Sequence, residues 1–85
     1  MFKVLIDIPA QAFLKSADEM TYSRVKETLD ELVLDPVPPR AKRIIESKEK
    51  LFRLRSRHLR LLYRINYENQ NLVVIMIEPL NRMYR

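Results

Sequence analysis

The chain has 85 residues, a formal net charge of +5, no glycine, no cysteine and one histidine. This length fits one domain, which we expect to span residues 1–85, and no apolar run approaches the ~20 residues of a membrane span. Without glycine the chain lacks the phosphate-binding loops of nucleotide enzymes, and without cysteine it lacks a disulfide framework and the usual ligands of a structural metal site. Asp7 and Pro9 interrupt the first apolar run too soon for a secretory signal. We therefore expect a cytoplasmic protein that contacts no membrane and needs no metal or cofactor.

Charge is distributed unevenly along the chain. Residues 1–39 carry four basic and seven acidic side chains, a net of −3, whereas residues 40–85 carry twelve basic and four acidic ones, a net of +8. A positive field concentrated in one half of a small domain indicates an anionic partner.

The N-terminal half predicts one strand and two helices. Residues 2–8 are apolar and β-branched, which favours a strand, and Pro9 is well placed to open a short helix that ends near residue 15. Ser16 and Glu19 have the spacing of a capping box and predict the start of a second helix, which runs to about residue 34. Its apolar positions step by three and four along one face. They are Tyr22, Val25, Leu29 and Leu32. The prolines of residues 36–39 end this helix.

The C-terminal half predicts three strands after a basic connector at residues 40–50. From residue 51 to residue 65, apolar and cationic side chains alternate, as in strands with one buried and one solvent-exposed face. With a turn at residues 56–58, Phe52 and Leu54 would share the buried face with Leu59, Leu61, Tyr63 and Ile65. A second turn at residues 68–71 would use asparagine in left-handed geometry, and residues 72–77, apolar throughout, predict a central strand covered on both sides.

These elements predict an α+β fold, an antiparallel β-sheet in the order β-α-α-β-β-β with two N-terminal helices packed on one face. The arginines of the two alternating strands then lie together on the open face. Up to five guanidinium groups would gather there, and because like charges repel, such a surface favours a polyanion as its partner.

The chain resembles the RelE/ParE toxin superfamily of type II toxin–antitoxin systems, and its RelE-like branch in particular. The resemblance covers nearly the whole chain and is most specific in the paired strand motifs Phe52–Arg55 and Leu59–Tyr63 and in the terminal Arg82–Tyr84. It implies a ribosome-dependent mRNA endoribonuclease that inhibits translation and needs no metal. It also implies a RelB-like antitoxin as partner in a toxin–antitoxin hetero-oligomer, with the ribosome and mRNA as targets.

The resemblance implies Arg53, Arg55, Arg60, Arg82 and Tyr84 as site residues. Arg57, Arg64, Lys50 and Arg85 are further basic residues that we expect to contact the RNA backbone. The catalytic set is Arg60, Arg82, Tyr84 and Arg55, and the RNA-binding set is Arg53, Arg57, Arg64, Lys50 and Arg85. Arginine stays charged and forms paired hydrogen bonds to phosphate, so it suits charge stabilisation and RNA positioning rather than proton abstraction. Tyr84 would orient a group or accept a proton if neighbouring guanidinium groups lower its pKa.

The sequence departs from the family pattern at three places and leaves other functions open. The usual glycine before the second strand motif is replaced in the Arg57–His58 region, the usual aromatic residue is Leu59, and Leu80 stands where some relatives carry an arginine. One alternative is a ParE-like inhibitor of DNA gyrase. Another is a nucleic-acid-binding module or decayed toxin without nuclease activity. His58 is either a turn residue or a group that titrates in the reaction.

Overall fold

The computed structural model describes residues 1–46 and 48–80 of the chain. Its elements follow in the order β1 Lys3–Ile6, α1 Ile8–Lys15, α2 Glu19–Leu34, β2 Ala41–Arg43, β3 Leu51–Ser56, β4 Leu59–Asn66 and β5 Asn71–Pro79. The predicted α+β class and the two N-terminal helices are confirmed.

All five strands form one sheet, in the order β1-β5-β4-β3-β2. The neighbours β2–β3, β3–β4 and β4–β5 are antiparallel, whereas β1 runs parallel to β5. The sheet is therefore mixed, where the sequence predicted an antiparallel one. It also has one strand more than predicted, because Ala41–Arg43 of the basic connector pairs with β3.

The core lies between the helices and one face of the sheet. Side chains of α1 and α2 pack with the inward-facing residues of the central strands in a single apolar cluster. The fully or almost fully buried members include Ala10, Val25, Leu32, Leu54, Leu61, Tyr63, Leu72 and Val74. The other face of the sheet is free of helices within the described residues.

The helix ends differ in part from the predicted ones. Asp18, not Ser16, caps α2, and its Oδ1 accepts a hydrogen bond from the Thr21 amide at 2.7 Å. This hydrogen bond from the Thr21 backbone amide lowers the pKa of the Asp18 carboxyl. Ser16 instead ends α1, where its hydroxyl donates to the Ala12 carbonyl at 3.2 Å. Asp18, two residues after Ser16, accepts from an amide at the start of α2, so the predicted capping box does not form.

Three further predictions are corrected by burial and backbone geometry. Tyr22 of the predicted apolar face is half exposed. In the second turn the residue with positive φ is Gln70, at 55°, rather than an asparagine. On β5, Met76 is 40% exposed, so this central strand is covered on one side only within the described part of the chain.

Candidate nucleic-acid interface

The β3–β4 hairpin separates apolar from cationic side chains as its alternation predicts. Phe52 and Leu54 of β3 are buried, as are Leu59, Leu61, Tyr63 and Ile65 of β4. The rings of Phe52 and Tyr63, which are paired across the strands, stack with centroids 5.7 Å apart. These contacts fix the register, and a shift by one residue would turn every arginine of the hairpin toward the core.

The opposite face carries the arginines. Arg55 lies directly across from Arg60, and Arg53 lies across from Leu62 on the same face. Arg64 is on this face too, but four residues along β4 from Arg60, or about 13 Å at ~3.3 Å per residue. We call this surface, defined by Arg53, Arg55, Arg60 and Arg64, the arginine face.

The remaining predicted site residues fall in three places. Arg57 occupies the turn between β3 and β4 and is exposed there. Lys50 precedes β3 and lines a shallow groove with Arg64, at the end of the strands away from the turn. Arg82, Tyr84 and Arg85 lie outside the described residues. The structure therefore brings Arg53, Arg55 and Arg60 together, and the roles of all nine residues stay predictions.

Glu78 is a member of this site that the sequence reasoning missed. It pairs with Arg60 across β4 and β5, and its Oε2 accepts hydrogen bonds from Arg60 Nε at 3.1 Å and Nη2 at 2.9 Å. Glu78 also lines a shallow cleft of about 290 Å³ with Arg53, Arg60, Leu62 and Met76. The signal in the sequence is the single carboxylate at the end of an apolar strand, on the side opposite the buried Ile77.

Arg40, expected to belong to a basic connector, braces the strand that carries Arg55. Its Nε donates to the Arg55 carbonyl at 3.2 Å, and its Nη1 and Nη2 donate to the two Glu31 oxygens at 2.9 and 2.8 Å. These bonds from Arg40 lower the pKa of the Glu31 carboxyl. Glu31 belongs to α2, so this one guanidinium joins the helical layer to the edge of the arginine face.

The turn that contains His58 is held from two sides. Arg24 Nη1 lies 3.2 Å from His58 Nε2, and because a guanidinium only donates, the ring nitrogen is the acceptor in this contact. The His58 carbonyl accepts a hydrogen bond from the Leu80 amide at 2.6 Å. Leu80 is 6% exposed. The turn is thereby tied to α2 and to the end of β5, from which the chain continues to Arg82.

Two of the departures from the family pattern are core positions in this chain. Leu59 and Leu80 are 5% and 6% exposed, so both side chains contribute to packing. The third departure, at Arg57, places a non-glycine residue at a φ of 60°.

The arrangement suits binding of a phosphate chain. Arg53 and Arg60 line a cleft open to solvent, and Arg55 lies across from Arg60 on the same face. Guanidinium groups placed in this way can contact successive phosphates or the charge that develops on one of them. No group of three or more potential metal ligands among His, Cys, Asp and Glu occurs in residues 1–46 and 48–80. Within the same residues, neither helix is long and apolar enough to cross a membrane.

The fold of this chain, rather than its sequence, is similar to that of known proteins. No protein-family model and no curated protein matches the sequence. The RelE–RelB complex from Pyrococcus horikoshii superposes with a TM-score of 0.79 at 23% identity, covering 95% of this chain and 97% of that one. The isolated E. coli RelE toxin superposes with a TM-score of 0.79 at 16% sequence identity, covering 93% of this chain and 84% of that one. The RelBE2 toxin–antitoxin complex from Mycobacterium tuberculosis superposes with a TM-score of 0.77 at 23% sequence identity, covering 92% of this chain and 96% of that one. The chain therefore has the RelE-like toxin fold.

Proposed function

We propose that this chain is the toxin of a type II toxin–antitoxin system and acts in the cytoplasm as a ribosome-dependent mRNA endoribonuclease. The observation that carries the proposal is the arginine face on a RelE-like fold. Arg55 and Arg60 lie directly opposite each other, a pairing of like charges that costs stability unless an anion is bound between them. Several similar solved structures are RelE toxins, two of them in complexes with antitoxins.

The chemistry assigned to this face is cleavage of RNA by its own 2′-hydroxyl. Arg55 and Arg60 stabilise the negative charge that develops on the scissile phosphate, together with Arg82 and Tyr84 from the tail. The RNA-binding set holds the flanking phosphates and fixes the register of the strand. It comprises Arg53, Arg57, Arg64, Lys50 and Arg85. None of these roles requires a metal ion.

We propose a RelB-like antitoxin as the partner that inhibits the toxin in a hetero-oligomer. The exposed face combines cations with apolar side chains, since Met76 and Leu5 are each 40% exposed. An antitoxin segment with acidic and apolar residues complements such a surface and would exclude RNA from it. Co-expression with the neighbouring gene, if that gene encodes a small acidic protein, is expected to restore growth and to yield a co-purifying complex.

Brief expression in bacteria followed by primer extension on several mRNAs tests the activity. Translated mRNAs are expected to show new 5′ ends within the reading frame, and an mRNA whose start codon is removed is expected to remain intact. Growth arrest with intact mRNA and inhibited DNA gyrase would contradict the proposal and support the ParE-like alternative. Absence of both arrest and cleavage would support a nucleic-acid-binding module.

A further inference from the structure

Glu78 is the one carboxylate that the described strands place on the arginine face. It lies in register with Arg60 and Arg55 across β5, β4 and β3. Because neighbouring strands are about 4.8 Å apart, these three residues span about 10 Å across the sheet, close to the size of one nucleotide. A phosphate held between the two arginines would therefore have its own ribose within reach of Glu78.

The contacts of Glu78 leave it able to accept a proton. Both bonds from Arg60 end on Oε2, and Oε1 accepts no hydrogen bond from any described residue. The Glu78 side chain is 39% exposed and lines the cleft. The charged groups that face it are Arg60, in register with it on β4, Arg53, which lines the same cleft, and Arg55, which lies across from Arg60 on β3.

The arginines, Tyr63 and His58 are poorly suited to remove the proton of a 2′-hydroxyl on this face. Arginine does not deprotonate in proteins. Tyr63 is fully buried on the opposite face, and its hydroxyl donates to the Pro36 carbonyl. His58 Nε2 is occupied by Arg24.

We propose that Glu78 is the general base of RNA cleavage, an inference that rests on the function proposed above. The Glu78 carboxylate takes the proton from the 2′-hydroxyl as the 2′-oxygen forms a bond to phosphorus. The bond from phosphorus to the 5′-oxygen breaks, and that oxygen takes a proton from water. The products are a 2′,3′-cyclic phosphate and a 5′-hydroxyl, and Glu78 then returns its proton to solvent. Arg60 positions the carboxylate and contacts the phosphate.

Single-turnover cleavage of mRNA on purified ribosomes tests the proposal with Glu78→Gln. The amide oxygen of glutamine still accepts the bond from Arg60, so a role limited to positioning Arg60 would preserve the rate. A general base predicts a rate lower by about 10²–10⁴-fold with little change in the toxin concentration at half-saturation. The residual rate of the variant should rise with hydroxide between about pH 6.5 and about pH 8.5, where the wild-type rate stays level.

Two controls accompany this variant. Glu27→Gln removes an exposed carboxylate from α2, in the helical layer, and is expected to cleave at the wild-type rate. Glu78→Asp keeps the carboxylate and should retain more activity than Glu78→Gln, with a thermal unfolding midpoint measured for each. Near wild-type cleavage by Glu78→Gln would overturn the role of Glu78 and leave the nuclease proposal standing. Failure of the wild-type protein to cleave mRNA on ribosomes would overturn both.

Discussion

Arg57 occupies the first position of a two-residue turn that joins β3 to β4, and its φ of 60° lies in the left-handed region. Glycine is favoured at this position of a hairpin turn because it has no Cβ atom to clash. A non-glycine residue in left-handed geometry costs roughly 1–2 kcal/mol. The chain therefore places a cation at the tip of the hairpin at the expense of stability.

Replacing Arg57 with glycine is expected to stabilise the fold. Glycine removes the strain of the left-handed backbone at residue 57, but it also raises the entropy of the unfolded chain, which offsets part of this gain. The free energy of unfolding should therefore rise by about 0.5–1 kcal/mol. Thermal or urea unfolding measures this change in the free energy of unfolding. Arg57→Ala keeps the Cβ atom and is the matched control, expected to gain nothing. Equal stability of the two variants would refute the strain at this turn.

Arg55 and Arg60 illustrate a second conflict between stability and function at single residues. Two like charges lie opposite each other on adjacent strands, and Glu78 offsets only one of them through its bonds to Arg60. Arg55→Thr removes the repulsion and introduces a residue with higher strand propensity, so the unfolding free energy should rise by about 0.5 kcal/mol. Cleavage should fall in the same protein. A variant that lost stability as well as activity would contradict this account.

Among the elements, β4 and the proline-rich segment are joined by one buried hydrogen bond. The Tyr63 hydroxyl donates to the Pro36 carbonyl at 2.7 Å, and Tyr63 is fully buried. Burial raises the pKa of the Tyr63 phenol well above its ordinary value of 10. The folded protein therefore binds this proton more tightly than the unfolded chain does.

Tyr63→Phe is expected to lower the free energy of unfolding by about 1–2 kcal/mol at neutral pH, because the Pro36 carbonyl loses its donor. The stability that Tyr63 contributes is fully present below about pH 10 and is lost as pH rises toward the folded-state pKa. Melting temperatures between neutral pH and about pH 11 should thus fall more steeply for wild type than for Tyr63→Phe. Parallel curves would contradict the proposed linkage.

The alternation of side chains allowed β3, β4 and their two faces to be predicted, because each strand's pattern is local to its own residues. The parallel pairing of β1 with β5 was not predictable, since it joins residues about 70 positions apart and both strands are simply apolar. Capping was ambiguous because Ser16 and Asp18 both suit the position. Glu78 was overlooked because the apolar run before it conceals the alternation at the end of β5. The hydrogen bonds between Arg40 and Glu31 could not be predicted from the sequence, because they depend on how α2 packs on the sheet.

At the scale of the whole molecule, the two layers separate opposite charges. The helical half carries a net charge of −3, while the half that builds most of the sheet carries +8. The arginine face is therefore both exposed and electrostatically distinct from the opposite side. This separation allows RNA to be bound in one orientation.

Binding to single-stranded RNA should depend strongly on salt. Four contacts from the arginine face predict that log K falls with log salt concentration with a slope of about −3. Arg53→Ala/Arg64→Ala should reduce the slope by about 1.4, since each lost phosphate contact removes about 0.7. Lys15→Ala/Lys26→Ala removes the same charge from the helical layer and should leave the slope close to wild type. Fluorescence anisotropy measures these slopes, and equal effects of both double variants would argue against a localised interface.

The central claim is that Arg55 and Arg60 together stabilise the charge that develops when mRNA is cut. The most direct measurement is the rate of mRNA cleavage on purified ribosomes by Arg55→Ala/Arg60→Ala, compared with wild type and with Lys15→Ala/Lys26→Ala. We predict a loss of at least about 10³-fold for the arginine variant in a protein that remains folded, and a change of less than about threefold for the lysine variant. Cleavage by the arginine variant at the wild-type rate would contradict the claim.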